Sequence, residues 1–116
     1  MAYTREPISG STHGRGIKLT GTATGSSVAI HTGQASAVLS DVVTLYAMNS
    51  DTVVRRVSLE WGGTTSPDDI IVMDLPPKSG LVPLVVDLLI RNSLPCKAWA
   101  DAANVVMIFG FVNTEA

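Results

Sequence analysis

A single cysteine, Cys96, stands among 116 residues, so no disulfide can form within the chain. A domain of this length buries roughly two-thirds of its unfolded surface and needs neither a disulfide nor a metal as a staple. Charge is scarce as well. Asp, Glu, Lys and Arg make up 16% of the residues, against about 25% in ordinary globular domains. The net charge of −2 gives no basic footprint for nucleic acid. Hydrophobic residues reach 46%. A small domain with so few charges has more apolar surface than it can cover alone, and other subunits are expected to cover part of it. Aromatic residues are only 5%. The first twelve residues hold Arg5, Glu6 and Pro7 but no apolar core of a signal peptide. The longest apolar run, Leu81 to Ile90, is about half a membrane span and is broken by Pro83 and Asp87. A soluble protein made in the cytoplasm, with no membrane partner, is the expectation.

Catalytic and metal-binding signatures are equally thin. His13 and His31 are the only histidines, and neither belongs to an H-x-H or H-x-x-x-H pair. A jelly-roll metalloenzyme needs two or three convergent ligands, so both read as polar surface or arm residues. G-x-S-x-G is absent. The glycines from Gly10 to Gly16 match neither G-x-G-x-x-G nor a P-loop, and no strand precedes them. Asp68 and Asp69 after Pro67 make a sparse calcium loop, and capping of a strand entry explains them better. No cofactor and no metal are expected.

What the chain does have is period two. From Val53 to Trp61, Val53, Val57, Leu59 and Trp61 share one face, with Arg55 breaking the set. Val54, Arg56, Ser58 and Glu60 share the other. That is a strand with one buried face. Gly62 and Gly63 then allow a sharp reversal before Ile70. Similar stretches begin near Ile17, Val28, Val38, Asp69, Leu81, Leu94 and Val105, separated by turn residues. The Val38 and Val53 strands are expected to form a hairpin across Asn49-Ser50-Asp51. Pro83, which has no N–H to donate, marks an edge strand or a bulge. The last strand is apolar on both faces, with Val105, Met107, Phe109 and Phe111 against Val106, Ile108, Gly110 and Val112, so it should be central. A short helix over Ala98 to Ala103 is allowed but has no periodic stripe. About eight short strands and no convincing helix predict an all-β fold. The expected architecture is a two-sheet antiparallel sandwich of jelly-roll-like topology, with a small β-barrel as the alternative. Residues 1–16 read as an extended N-terminal arm and 17–116 as one sandwich domain. Trp61, Phe109 and Phe111 are the expected core anchors, and Cys96 is expected as a packed thiol. Trp61 and Trp99 could instead form a platform for sugar, as in carbohydrate-binding sandwiches.

Several segments carry a family resemblance. Pro7 to Lys18 (PISGSTHGRGIK), Leu59 to Asp69 (LEWGGTTSPDD) and Pro76 to Pro83 (PPKSGLVP) resemble small virion proteins of tailed bacteriophages, of the head decoration or cement class. So do Leu88 to Leu94 and Ala103 to Asn113. The resemblance implies a non-enzymatic, all-β structural protein of the virion, made in the host cytoplasm, that bridges neighbouring major capsid subunits. It implies a trimer or dimer, and it leaves a tail or fibre component open. It carries over no catalytic residue. Within this frame Tyr3, Arg5, Ile8 and Arg15 are the expected contacts to the capsid or to a neighbouring subunit, held out on the arm.

Overall fold

In the computed structural model, which describes residues 2–116, the alternating stretches form nine strands. They are β1 (Tyr3–Pro7), β2 (Ile17–Lys18), β3 (Val28–Thr32), β4 (Asp41–Asn49), β5 (Arg55–Trp61), β6 (Ile70–Leu75), β7 (Val82–Ile90), β8 (Pro95–Ala100) and β9 (Val106–Glu115). One 3-10 turn, Thr24–Ser26, precedes β3. Ala98 to Ala100, allowed as helix, belongs to β8.

The pairing is nested. β5 pairs with β6, β4 with β7, β3 with β8 and β2 with β9, all antiparallel. The chain is thus a long hairpin whose tip is the Gly62–Asp69 turn, where Gly62 takes a φ of 80°. Rolling that hairpin up brings β4 against β9 and β5 against β8. Two sheets result: β1-β9-β4-β7, with β2 continuing the edge of β9 beside β1, and β3-β8-β5-β6. This is the jelly-roll arrangement, two antiparallel sheets face to face and open at their edges.

The expected hairpin between β4 and β5 is not formed. Those strands lie in different sheets, and Asn49 to Asp51 carries the chain from one to the other. Asn49 pegs that corner. Fully buried, its Nδ2 donates to the carbonyls of Val53 (2.9 Å), Leu75 (3.3 Å) and Pro76 (3.1 Å), while its Oδ1 accepts from the Asp51 amide (2.9 Å). A turn-type residue has become a buried, satisfied cross-brace. β7 is an edge strand, as Pro83 requires, and a second irregularity sits at Asp87, whose φ is 53°.

The core between the sheets is aliphatic. Val43, Leu45, Ala47, Val106, Ile108 and Val112 face Ile30, Val57, Leu59, Leu75, Cys96 and Ala98. Among the described residues no aromatic side chain is fully buried. Trp61 packs against the rim of the core and stays partly exposed. Phe109 and Phe111 are not core anchors at all. On β9 the inward positions are Val106, Ile108 and Val112, and the phenylalanines stand on the opposite face. Both faces of β9 are apolar, so alternation could not choose between them. β9 is central, between β1 and β4.

Residues 2–16 are not a free arm; position 1 of the expected arm lies outside the described residues. β1 runs antiparallel to β9 from Tyr3 opposite Glu115 to Pro7 opposite Phe111. The next residues cross to the other sheet: the Ser9 amide donates to His31 Nδ1 (2.9 Å), Ser9 Oγ accepts from the Thr32 amide (2.8 Å), and the Gly10 amide donates to the Ile30 carbonyl (2.8 Å). Ile8, between the two attachments, is 1% exposed and belongs to the core. The sandwich therefore begins with the N-terminal segment and not at Ile17.

Candidate functional site

The outer face of the five-stranded sheet is the broadest candidate surface. Strand alternation and register place Tyr46 beside Phe109, Met48 beside Met107 and Thr44 beside Phe111 on that face. Leu89 of β7 stands beside Val42 and is 53% exposed, and Val86 on the same strand is 61% exposed. From β1, Tyr3 and Arg5 join the far edge, and the Arg5 guanidinium lies 4.4 Å from the centre of the Phe111 ring. A shallow hollow of about 380 Å³ opens among Tyr3, Val42 and Asn113. Gly16 crosses over Phe109; a Cβ there would lie 2.5 Å from the ring, so a larger residue would have to displace the Phe109 side chain. Tyr46, Met48, Met107, Phe109 and Phe111 are half-buried on this face, and Tyr3, Val86 and Leu89 are its exposed apolar residues. Contiguous apolar patches of this kind mark interaction surfaces.

The four sequence-chosen contact residues separate. Tyr3 and Arg5 stand on this face. Arg15 is exposed in the loop before β2, beside a small hollow shared with Gly10, Thr12 and Ile17. Ile8 points into the core and is 1% exposed, so its side chain is not on the surface as an assigned contact would have to be. Its neighbours in sequence are polar, so no periodic signal revealed its burial.

A second cluster lies inside one end of the sandwich, and it overturns the reading of His31 as a surface residue. His31 is buried. Because the Ser9 amide donates to Nδ1, the ring proton sits on Nε2, which donates to Asp41 Oδ2 at 2.7 Å. The Gln34 amide donates to the same oxygen (3.1 Å). Gln34 Nε2 reaches the Ser40 and Glu115 carbonyls (3.0 Å each), and the Ser40 amide donates to Glu115 Oε1 (2.9 Å). The Asp–His geometry resembles half of a hydrolase triad. Its chemistry differs: the nitrogen that would take a nucleophile's proton is occupied by a backbone amide, and Ser9 Oγ is held by Thr32. The cluster locks the first strand to β3 and β4.

The remaining charges brace the surface. Arg55 bonds Asp51 through Nε at 2.9 Å, and Arg56 bonds both oxygens of Asp74 at 2.8 and 3.2 Å. The Arg56 hydrogen bonds hold the Asp74 carboxyl below the usual carboxylate range, and those from Arg55 do the same for Asp51. Burial alone pushes the Cys96 thiol up to about 12, as expected of an inert core cysteine. Asp69 accepts from the Thr65 amide (3.2 Å) and closes its own loop. Among the described residues no group of three His, Cys, Asp or Glu side chains could hold a metal. Trp61 and Trp99 cannot share a sugar platform, because Trp61 leans on the core and Trp99, between Ala98 and Ala100 of the core, faces outward.

Comparison with known protein families, with curated proteins and with solved structures finds no match.

Proposed function

We propose that this chain is a non-enzymatic structural protein of a tailed-phage virion, decorating and stabilising the capsid by bridging neighbouring major capsid subunits. The observation that supports it best is the outer face of the five-stranded sheet. Exposed Tyr3, Val86 and Leu89, with the half-buried Tyr46, Met48, Met107, Phe109 and Phe111 between them, give it an apolar character on a protein that carries few charges to offset it. Burying such a face is worth roughly 25 cal/mol per Å² of apolar area, which favours association with a flat partner. The sequence resemblance names the partner as the major capsid protein. Tyr3 and Arg5 extend the face at one edge, and self-association as a trimer or dimer would use part of it.

The test pairs two exposed substitutions, Val86→Asp and Leu89→Asp, with binding to undecorated phage heads. Neither side chain is in the core, so the double variant should melt with the wild type. It should lose occupancy on heads, and light scattering should show the wild-type oligomer reduced to monomer. A wild type that is a clean monomer at high micromolar concentration, together with unchanged occupancy of the variant, would overturn the reading. Mass spectrometry of separated heads and tails distinguishes a capsid protein from a tail or fibre component.

A further inference from the structure

The four-stranded sheet has an outer face of its own, on the opposite side of the sandwich, and that face is not flat. Along β5, Arg56, Ser58 and Glu60 alternate outward. Register sets Ser58 between Val72 of β6 and Trp99 of β8, and Glu60 between Ile70 and Lys97. The Thr24–Ser26 turn and the Thr64–Ser66 loop border these strands and leave a cleft of about 380 Å³. That lies within the usual range for ligand sites, about 300–1,000 Å³.

Glu60 is a buried carboxylate with one oxygen unpartnered, as is Asp41 in the His31 cluster, but Glu60 alone of the two lines a cleft. It is 2% exposed, yet it stands on the outer side of its sheet. Its Oε2 accepts from the Thr24 hydroxyl, and its Oε1 has no hydrogen-bond partner among the described residues. No cation forms an ion pair with it among the described residues, although Lys97 is its neighbour in register. A buried carboxylate with an unsatisfied oxygen is costly to keep, and a stable sheet would place a Thr or Val there instead. The turn that covers it, Thr24–Ser26, buries no residue of its own.

We propose that this cleft binds a saccharide, with the apolar C–H face of a sugar ring against Trp99 and Val72 and a ring hydroxyl donating to Glu60. Three features select that chemistry. The indole supplies a flat apolar wall, and Val72 and Ile70 continue it. The polar groups around it are mostly hydroxyls, from Thr24, Ser58, Thr64 and Ser66, which both donate and accept as sugar hydroxyls do. The one cation among the residues lining the cleft, Arg56, already holds Asp74 through two hydrogen bonds, which disfavours a phosphate there. The site lies on the other sheet from the apolar docking face, so it stands or falls independently of the virion reading.

The experiment is a ¹H–¹⁵N titration of the full chain with soluble oligosaccharides built from glucose, galactose, mannose and N-acetylglucosamine, and with choline as a cationic control. At least one sugar should give saturable shifts at the Trp99 indole and at the Thr24, Ser58 and Glu60 amides, with a Kd of about 1 mM or tighter. Trp99→Ala should weaken binding about tenfold or more. Val72→Glu, at a half-exposed edge-strand position that spares the core, should do the same. No shift with any sugar at about 10 mM, shifts that survive both substitutions, or a response to choline alone would overturn the proposal. Val86→Asp with Leu89→Asp should leave the sugar response intact.

Discussion

Replacing Ile8 by alanine should destabilise the protein by about 2–5 kcal/mol, the usual cost of truncating a fully buried isoleucine. On a loose arm the same change would cost nothing. The difference rests on one side chain that is 1% exposed and on the backbone that fixes it. Full burial of an isoleucine is worth about 1.5–3 kcal/mol, and the cavity left behind adds to that loss because the walls relax only in part. Here they are held on both sides: the preceding strand is paired with β9, and Ser9 and Gly10 are bonded to β3. A chain of 116 residues has roughly 6–17 kcal/mol of total stability, so this single site is a large share of it. With about 2–8 °C lost per kcal/mol in domains of this size, the melting midpoint should fall by on the order of 10 °C. Ile8→Val, which removes one methylene, should cost only about 0.5–1.5 kcal/mol. Deleting residues 2–14 removes the same side chain together with its hydrogen bonds to β3, and it should lower the midpoint at least as far as Ile8→Ala. Thermal and urea melts read all three. If the deletion and Ile8→Ala both melt within about 2 °C of wild type, the N-terminal strand is no part of the stable fold and the reasoning fails.

Other outcomes follow from the same structure. Ile108→Ala should cost about 2–5 kcal/mol in a urea melt, whereas Phe109→Ala should cost less despite its larger side chain, because only Ile108 faces the core. Trp61→Ala should cost about 2 kcal/mol, below the 3–5 of a fully buried tryptophan, since Trp61 sits at the rim; a loss above about 4 would place it in the interior. The Cys96 thiol titrates higher when folded, about 12, than its ordinary value near 9.0. Its contribution to stability is therefore complete below pH 9, is lost as pH rises from 9 towards 12, and should be missing from the alkaline limb of a Cys96→Ala variant's stability profile. The Asp51 and Asp74 carboxyls titrate lower when folded, so their contribution is present above the ordinary value near 3.8 and fades as pH falls through the lower folded values. Arg56→Gln should flatten the Asp74 part of that acid limb.

Local chemistry made most of this architecture legible. Period two, turn residues and Pro83 locate β2 to β9 and the β5–β6 hairpin, because side-chain alternation and backbone dihedral preference act within a few residues. Cys96, flanked at alternate positions by Leu94 and Ala98, was readable as a core thiol for the same reason. Tertiary structure decided what is non-local. Nested pairing carries Asn49 across the sheets, where a tight turn with the same residues would equally suit a hairpin. β9 offers apolar side chains on both faces, and only contact with the opposite sheet selects Ile108 and Val112 over Phe109 and Phe111. Ile8 has no periodic partners, and Glu60 lies on the polar face of its strand, so their burial comes from segments distant in sequence: β3 and β9 flanking the first, and the Thr24 turn beside the second. Strand identity is a short-range property of a chain. Which face turns inward, and which polar group is left without water, are set by whatever the fold lays against it.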